Sequence, residues 1–500
     1  MSSRLCFTIR YLQPFFHGRG DAGRPEWPPS PFRLFQALVA AAAARWNERV
    51  ALDRSVAAFR WFEELQDPEI IAPDGRASRA GYRTYVPDNV GDVVARSWSR
   101  EGIKEIADVR VEKDVHPTYI NGDAVHYVYR IAGNGQAHVG LLTEAAQSLT
   151  HLGWGIDMVV GDATIITDEQ ACQLKGDRWL PVARNSGTAL RTPCKGCLDE
   201  LMSKHEAFLN RLSRDCAGNE FFSPVPPLSR FRSVNYGRAM DPEPRCWTAF
   251  TLLKPDASAR RAFNTARRTR DVAGMVRHAV AEAAKQQGWS SDEINVFVHG
   301  KTPDGSRPAS GHNSPDRFLY LPLPTINRAL NRVESIRRVL IAAPSHCGQR
   351  VAWLRRALAG AELHGDQNEP VALLTVLPST DWVLRQYYKQ SMTWSTVTPV
   401  ILPIHEGYKP ESAGKWIRMA FEQAGYASEL IARSKIEWRR VGFRPGVDLA
   451  SRYCPPKNLE NKPRYQVRVS FPHCIPGPVV VGSGRFRGFG VFASESTDDE

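Results

Sequence analysis

Fifteen residues near the C-terminus constrain this chain most. Pro478-Val-Val-Val-Gly-Ser-Gly-Arg-Phe-Arg-Gly-Phe-Gly-Val-Phe492 carries glycines at 482, 484, 488 and 490. That many glycines exclude a helix and predict a turn between short strands. Arg485, Arg487 and Phe489 are interleaved with them. Glycine lets backbone amides approach a phosphate closely. The arginines add charge, and Phe486 or Phe489 offers a face on which a base could stack. No helix follows, as a dinucleotide fingerprint would need, and no Gly-Lys-Ser/Thr makes a P-loop. The plainer alternative is a glycine-kinked terminal hairpin.

A chain of 500 residues predicts two or three domains. The proline-rich stretch from Phe222-Ser-Pro-Val-Pro-Pro-Leu228 through Asp241-Pro-Glu-Pro244 is the expected boundary, with domains over 1–240 and 241–500. Charge changes there too. Residues 1–240 hold 29 basic and 28 acidic side chains, whereas 241–500 hold 36 and 25. The excess in the second half is an electrostatic footprint for nucleic acid. Of the 65 basic residues 51 are arginine, whose planar fork suits phosphate.

Hydrophobic periodicity predicts an α+β chain. In the first half, strands are expected over 5–12, 126–131 and 155–166, with a turn at Gly161-Asp162, and helices over 31–46, 53–65, 138–152 and 197–212. Ser30 and Pro31 have the chemistry of a helix N-cap and first helical residue. In the second half, strands are expected over 245–253, 294–299, 318–323, 335–342, 371–377, 397–401, 436–443, 465–471 and 479–481. Helices fall over 259–285, 348–358 and 415–424. Repeated strand–helix–strand–strand units are the ferredoxin-like, RRM-like pattern.

The longest apolar run, Ala37 to Ala44, is far short of the roughly 18 residues of a membrane span. The start, Met1–Arg10, reads as a strand and not as an export signal. Nine cysteines at irregular spacing make no disulfide framework, so a cytoplasmic setting is expected. Cys194-Lys-Gly-Cys197 has metal-ligand spacing, but a structural zinc needs four ligands and no second pair occurs. Neither a metal nor a cofactor is expected.

The terminal Gly-x-Gly-Arg-x-x-Gly-Phe-Gly resembles the glycine-rich loop of the RAMP superfamily of CRISPR-associated proteins, which are ferredoxin-fold RNA binders. Trp27-Pro-Pro-Ser-Pro-Phe-Arg-Leu-Phe-Gln-Ala-Leu-Val-Ala-Ala41 resembles the Cas-five branch, and His151-Leu-Gly-Trp-Gly155 adds weaker support. Together the halves resemble the Cas-five/Cas-six fusion proteins of type I-U, also called I-G. The resemblance implies that the second half binds the hairpin of precursor CRISPR RNA and cuts it without metal, leaving a 2′,3′-cyclic phosphate. It implies that the first half grips the 5′ handle of the guide or contacts other effector subunits. A non-catalytic RNA-binding scaffold of the effector is the alternative. A module that binds some other polyanion is a third reading, disfavoured by the glycine–arginine loop.

Cleavage through the 2′-OH needs a base, an acid and cations around the phosphorane, and histidine suits either proton role near neutral pH. His312, in Ser310-Gly-His-Asn-Ser-Pro315 ahead of the strand Phe318-Leu-Tyr-Leu-Pro-Leu-Pro324, is the first candidate. Family members carry a second histidine just before that strand; here Asp316 and Arg317 stand there. His299 and His473 are further candidates, with Lys301, Arg307 and Arg317 as charge stabilisers. For RNA binding the expected residues are Gly482, Gly484, Arg485, Arg487, Gly488 and Phe489. Arg260, Arg261, Arg267 and Arg268 are expected as one helical stripe. Arg433, Lys435, Arg439, Arg440 and Arg444 form a similar cluster, which a solvated face would explain equally well. In the first half, His17, Arg19 and Arg24 precede the helix whose N-terminus would favour a phosphate, and Arg33 in its first turn could assist.

Overall fold

The computed structural model describes residues 3–44, 49–87, 110–131, 135–182, 187–214, 216, 220–306, 308, 315–404 and 408–495. The chain divides into two compact units, Met1–Ala239 and Met240–Glu500.

The first unit is built on a seven-stranded antiparallel sheet. Its elements in chain order are β1 (Arg4–Tyr11), α1 (Pro31–Ala44), α2 (Arg49–Glu63), β2 (Glu69–Ala72), β3 (Ala124–Arg130), α3 (Gln136–Gln147), β4 (Val159–Ile166), β5 (Asp177–Val182), β6 (Thr188–Thr192), α4 (Cys197–Leu209) and β7 (Arg232–Arg238). The spatial order is β6-β7-β5-β2-β3-β1-β4. Phe7, Tyr127 and Tyr129 from the sheet bury against Phe35, Phe59, Phe62 and Leu142 of the helices. Each such side chain contributes about 1.5–3 kcal/mol through burial. On the opposite face Cys6, Ile71 and Val128 are covered by Ala171 of the short helix Asp168–Gln173. Gly161 does not turn the chain as its sequence suggests; it lies inside β4. A side chain there would come 2.5 Å from the Ala146 carbonyl oxygen of α3, so glycine is demanded by close helix–sheet packing.

The second unit holds two five-stranded sheets. The first comprises β8 (Arg245–Leu253), β9 (Leu319–Asn327), β10 (Arg332–Pro344), β11 (Glu362–His364) and β12 (Pro370–Val376), in the order β9-β10-β8-β12-β11. Two helices, α5 (Thr265–Gln286) and α6 (Gly348–Ala357), cover one face through Val272, Val276 and Leu354 against Phe250, Tyr320 and Ile341. The other face, with Leu319, Leu321, Leu340 and Ala342, packs on Val480, Phe486 and Val491. Burial on both faces is why β9 reads Leu-Tyr-Leu-Pro-Leu-Pro without polar alternation. The second sheet holds β13 (Ser391–Thr396), β14 (Val400–Ile401), β15 (Lys435–Arg439), β16 (Arg464–Ile475) and β17 (Phe492–Ser494). Its path is β14-β16-β13-β17, with β15 also paired to β16. The helix α7 (Ala413–Glu422) seals that sheet with Ile417, Ala420 and Phe421.

Several expectations fail in this unit: Val480 makes only an isolated bridge to Val491, so 479–481 is not a strand, and of 397–401 only Val400–Ile401 is one. Residues 294–299 form a helical turn, not a strand. It extends a helix start in which Ser290 and Glu293 cap each other's backbone, and that local capping outweighs the β-branched composition. The long helix begins at Thr265 with Asn264 as its cap, accepting from the Arg267 amide, so Arg260 and Arg261 precede it and the expected four-arginine stripe does not form.

Candidate functional site

The glycine-rich loop is shaped by packing as much as by polarity. Gly482 and Gly488 adopt φ of 94° and 83°, a region that costs other residues roughly 1–2 kcal/mol. A side chain at Gly488 would lie 2.8 Å from both Pro322 of β9 and Thr269 of α5. One at Gly484 would lie 2.7 Å from Phe489 Cβ. Thr398 Oγ1 donates to the Gly488 carbonyl at 2.9 Å. The expected stacking faces are therefore corrected. Phe489 is fully buried and packs edge-on to Tyr453. Phe486 is covered by the guanidiniums of Arg317 and Arg485, each 4.7 Å from its ring centre.

Arginines of this loop keep their charge under strain. Arg485 donates to the carbonyls of Gly482 and Gln423 at 3.2 and 3.1 Å. Loss of solvent, and then the charge of Arg245, pull its pKa down to about 10. Arg487 is lowered by burial and then by Arg277 of α5. Arg317, just before β9, is 5% exposed and is pulled down to about 10, mainly by burial. Tyr320 offsets part of that, whereas Arg487, Arg277 and Arg485 add to it. A buried cation surrounded by cations is held at a cost, and an anion would relieve it.

His299 faces this group. It ends the 294–299 turn, and Gly300 at φ 69° reverses the chain after it. Desolvation, then Arg277, Lys301, Arg317 and Lys285 in that order, hold its pKa below the ordinary 6.5. The shift favours the neutral imidazole, the form that accepts a proton. Lys301 is exposed beside it. His312 and Arg307 lie outside the described residues.

Phe486 also borders a cleft. Its cavity of about 440 Å³ is lined by Arg245, Asp316, His346, Gln423, Tyr426, Arg485 and Phe486 among others. His346, on the turn after β10, hydrogen-bonds through Nε2 to Asp316 Oδ1 at 2.9 Å. Sequence reasoning missed His346, because 30 residues separate it from Asp316 and no spacing rule joins them. Asp316, His346 and Cys347 could hold a metal, with donor atoms within 4.8 Å of one another. Burial pushes the Cys347 thiol up to about 11, which opposes the thiolate that a metal requires.

The remaining expected residues are dispersed. Arg260 and Arg261 lie on the approach to α5. Arg267 and Arg268 are exposed on its first turns, and Arg268 pairs with Asp271 at 3.2 Å. His473 is buried and bonds to Asp241 at 2.5 Å. Arg444 is not part of a solvated stripe: it is buried and donates to Ser395, Asn331 and the carbonyls of Ala493 and Ser494.

In the first unit, the expected phosphate position at the N-terminus of α1 is filled by a carboxylate. Glu26, 6% exposed, accepts from the Ser30 amide at 2.8 Å and from Arg33 Nε at 3.0 Å. Burial alone would lower the pKa of Arg33, yet Glu26 outweighs it and raises it. Arg33 also donates to the Arg19 carbonyl, and the Arg19 guanidinium lies 5.7 Å from the Trp154 ring centre. His17 is buried between Asp157 and Tyr82, bonding each at 2.5 Å, and stacks on Trp154. Cys194 and Cys197 are free thiols, and burial pushes Cys197 up to about 12.

The chain is thus an α+β protein in which Arg317 and Arg485 meet over Phe486 of the glycine-rich turn. Residues 6–494 match the family described as "CRISPR-associated protein, GSU0054 family". The chain belongs to that family. Among solved structures, it is similar to one titled "Crystal structure of a CRISPR protein from Archaeoglobus fulgidus". That likeness has 9% identity and a TM-score of 0.20, over 48% of this chain and 93% of the other. A search of curated proteins returns no match. Among the described residues no helix is long and apolar enough to cross a membrane.

Proposed function

We propose that this protein matures CRISPR RNA: it cuts precursor transcripts within their repeats by a metal-independent attack of the 2′-OH on the adjacent phosphate. The observation that carries the reading is half-buried His299, whose pKa burial and then Arg277, Lys301 and Arg317 hold down, with Arg317 in turn lying over Phe486 of the glycine-rich loop. A neutral imidazole can take the 2′-OH proton, and the surrounding cations would stabilise the charge that builds on the phosphorane. The oxygen of the bond that breaks leaves as a 5′-hydroxyl and needs a proton. His312, the first candidate from sequence, is proposed as that acid. Arg267, Arg268 and Arg487 would contact the RNA backbone.

Strand order supports a RAMP-type, RRM-like reading. Three sets of strands repeat one arrangement: β4-β1-β3-β2 in the first unit, and β12-β8-β10-β9 and β17-β13-β16-β15 in the second. Numbered along each set, every one runs 4-1-3-2, the order of a ferredoxin-like sheet. On this reading the two units are the Cas-five-like and Cas-six-like halves of a type I-U/I-G fusion. The first unit would contact other effector subunits or the guide's handle. With the α1 N-terminus filled by Glu26, any handle contact would use Arg19 and Trp154 and not that terminus.

The test is cleavage of labelled repeat hairpin RNA by the purified protein in excess EDTA. A single cut with a cyclic-phosphate end is expected, and His299→Ala and His312→Ala should each abolish it while binding persists. Binding without cutting by the unaltered protein would replace this reading with the scaffold alternative.

A further inference from the structure

The cleft that contains His346 has no role in the reaction just proposed, and its chemistry points to a ligand of its own. Arg245 opens β8 and projects a guanidinium that makes no hydrogen bond or ion pair among the described residues. Arg485 enters from the glycine-rich turn, near enough to feel the charge of Arg245. Two desolvated guanidiniums thus face one cavity. The carboxylates that line it have partners, Ser345 Oγ donating to Glu243 at 2.5 Å and Asp316 holding His346; burial lowers the pKa of Arg245 by more than Tyr426 and Glu243 raise it. Both guanidiniums are pulled below their ordinary value, chiefly by burial, so each would gain from a dianion between them. The same pair of charges opposes a metal cation.

We infer that this cleft binds the phosphate monoester of a single nucleotide, with Arg245 and Arg485 forking the phosphate and His346, its Nε2–H held by Asp316, lying beside it. The cavity of about 440 Å³ lies at the small end of the roughly 300–1,000 Å³ range of ligand sites. It suits one nucleotide and not a duplex. Half-buried Gln423 stands at the rim, where its amide can meet a base edge, and Tyr426 lines the wall. The ligand could be a free nucleotide or the phosphorylated end of an RNA strand, and the chemistry is the same. The inference does not depend on whether the protein cuts RNA.

The experiment is competition binding on the full chain. The probes are five-residue RNAs ending in phosphate or in hydroxyl, at the 3′ or the 5′ terminus, together with uridine 3′- and 5′-monophosphate. One phosphorylated terminus should bind about tenfold more tightly than its hydroxyl counterpart, about 1.4 kcal/mol. Arg245→Met should reduce that ratio to within twofold. His346→Asn, at a side chain 60% exposed and so tolerant of change, should reduce it several-fold and keeps the test decisive if the arginine variant does not fold. Competition by the mononucleotides at similar concentration would identify a free nucleotide as ligand; preference for the oligomer alone would identify a strand end. Equal affinity for phosphate and hydroxyl ends in every format, or a preference that survives both substitutions, would overturn the inference.

Discussion

Replacing Gly488 by alanine separates backbone strain from packing in the loop on which the site depends. The new methyl would meet Pro322 and Thr269 at 2.8 Å. Thr269 is fully buried and sits in α5 with its hydroxyl on the Thr265 carbonyl, so neither neighbour can swing aside. The left-handed φ costs roughly 1–2 kcal/mol, and overpacking adds about 1–3 kcal/mol. Gly360 gives a matched control: its φ is 81°, but a methyl there meets nothing within 4 Å. Gly360→Ala should therefore lose only the strain, about 1–2 kcal/mol. At about 2–4 °C per kcal/mol for a unit of this size, calorimetry of the full chain should place Gly488→Ala roughly 2–12 °C below Gly360→Ala. Equal shifts would refute the packing argument and leave the glycine explained by backbone freedom alone.

Three further outcomes follow from the same geometry. Cleavage should depend on unprotonated His299, so the rate should fall as pH drops through a value below 6.5; Lys301→Met removes one lowering charge and should move that acidic limb to higher pH, whereas an unmoved limb would assign it to another group. Arg487→Ala should weaken RNA binding and reduce the slope of log affinity against log salt by about 0.7–0.9, the value of one phosphate contact; an unchanged slope would remove Arg487 from the interface. Arg444→Met strands the carbonyls of Ala493 and Ser494 and should cost about 3 kcal/mol in denaturant unfolding, whereas a neutral result would mean that its buried hydrogen bonds contribute no net stability.

Much of the fold was legible because its elements carry their own signals. The apolar run of β9 and the stripe Val272, Met275, Val276 and Val280 of α5 mark a doubly buried strand and a helix on that sheet. The Pro31 start of α1 follows from local chemistry. Residues 294–299 read as a strand because Ile-Asn-Val-Phe-Val-His is rich in β-branched and aromatic residues, while the cap at Ser290 decides the outcome. The arginine stripe failed because Asn264 stops the helix from extending back to Arg260. Buried pairings were less legible still. Nothing in the spacing of Glu26 and Arg33 says that a carboxylate fills a helix N-terminus, and nothing joins Asp316 to His346. Phe489 looked like a stacking face because burial is set by Tyr453, which is 36 positions away.

The central claim is that the 2′-hydroxyl of the RNA is the nucleophile. A repeat hairpin with one deoxyribose at the cut position tests it most directly. If the 2′-hydroxyl attacks, this RNA should bind with unchanged affinity and stay uncut in EDTA, while the all-ribose hairpin is cut once. Cleavage of the deoxy-substituted strand at the same bond would contradict it, since water or another nucleophile would then have to do the work.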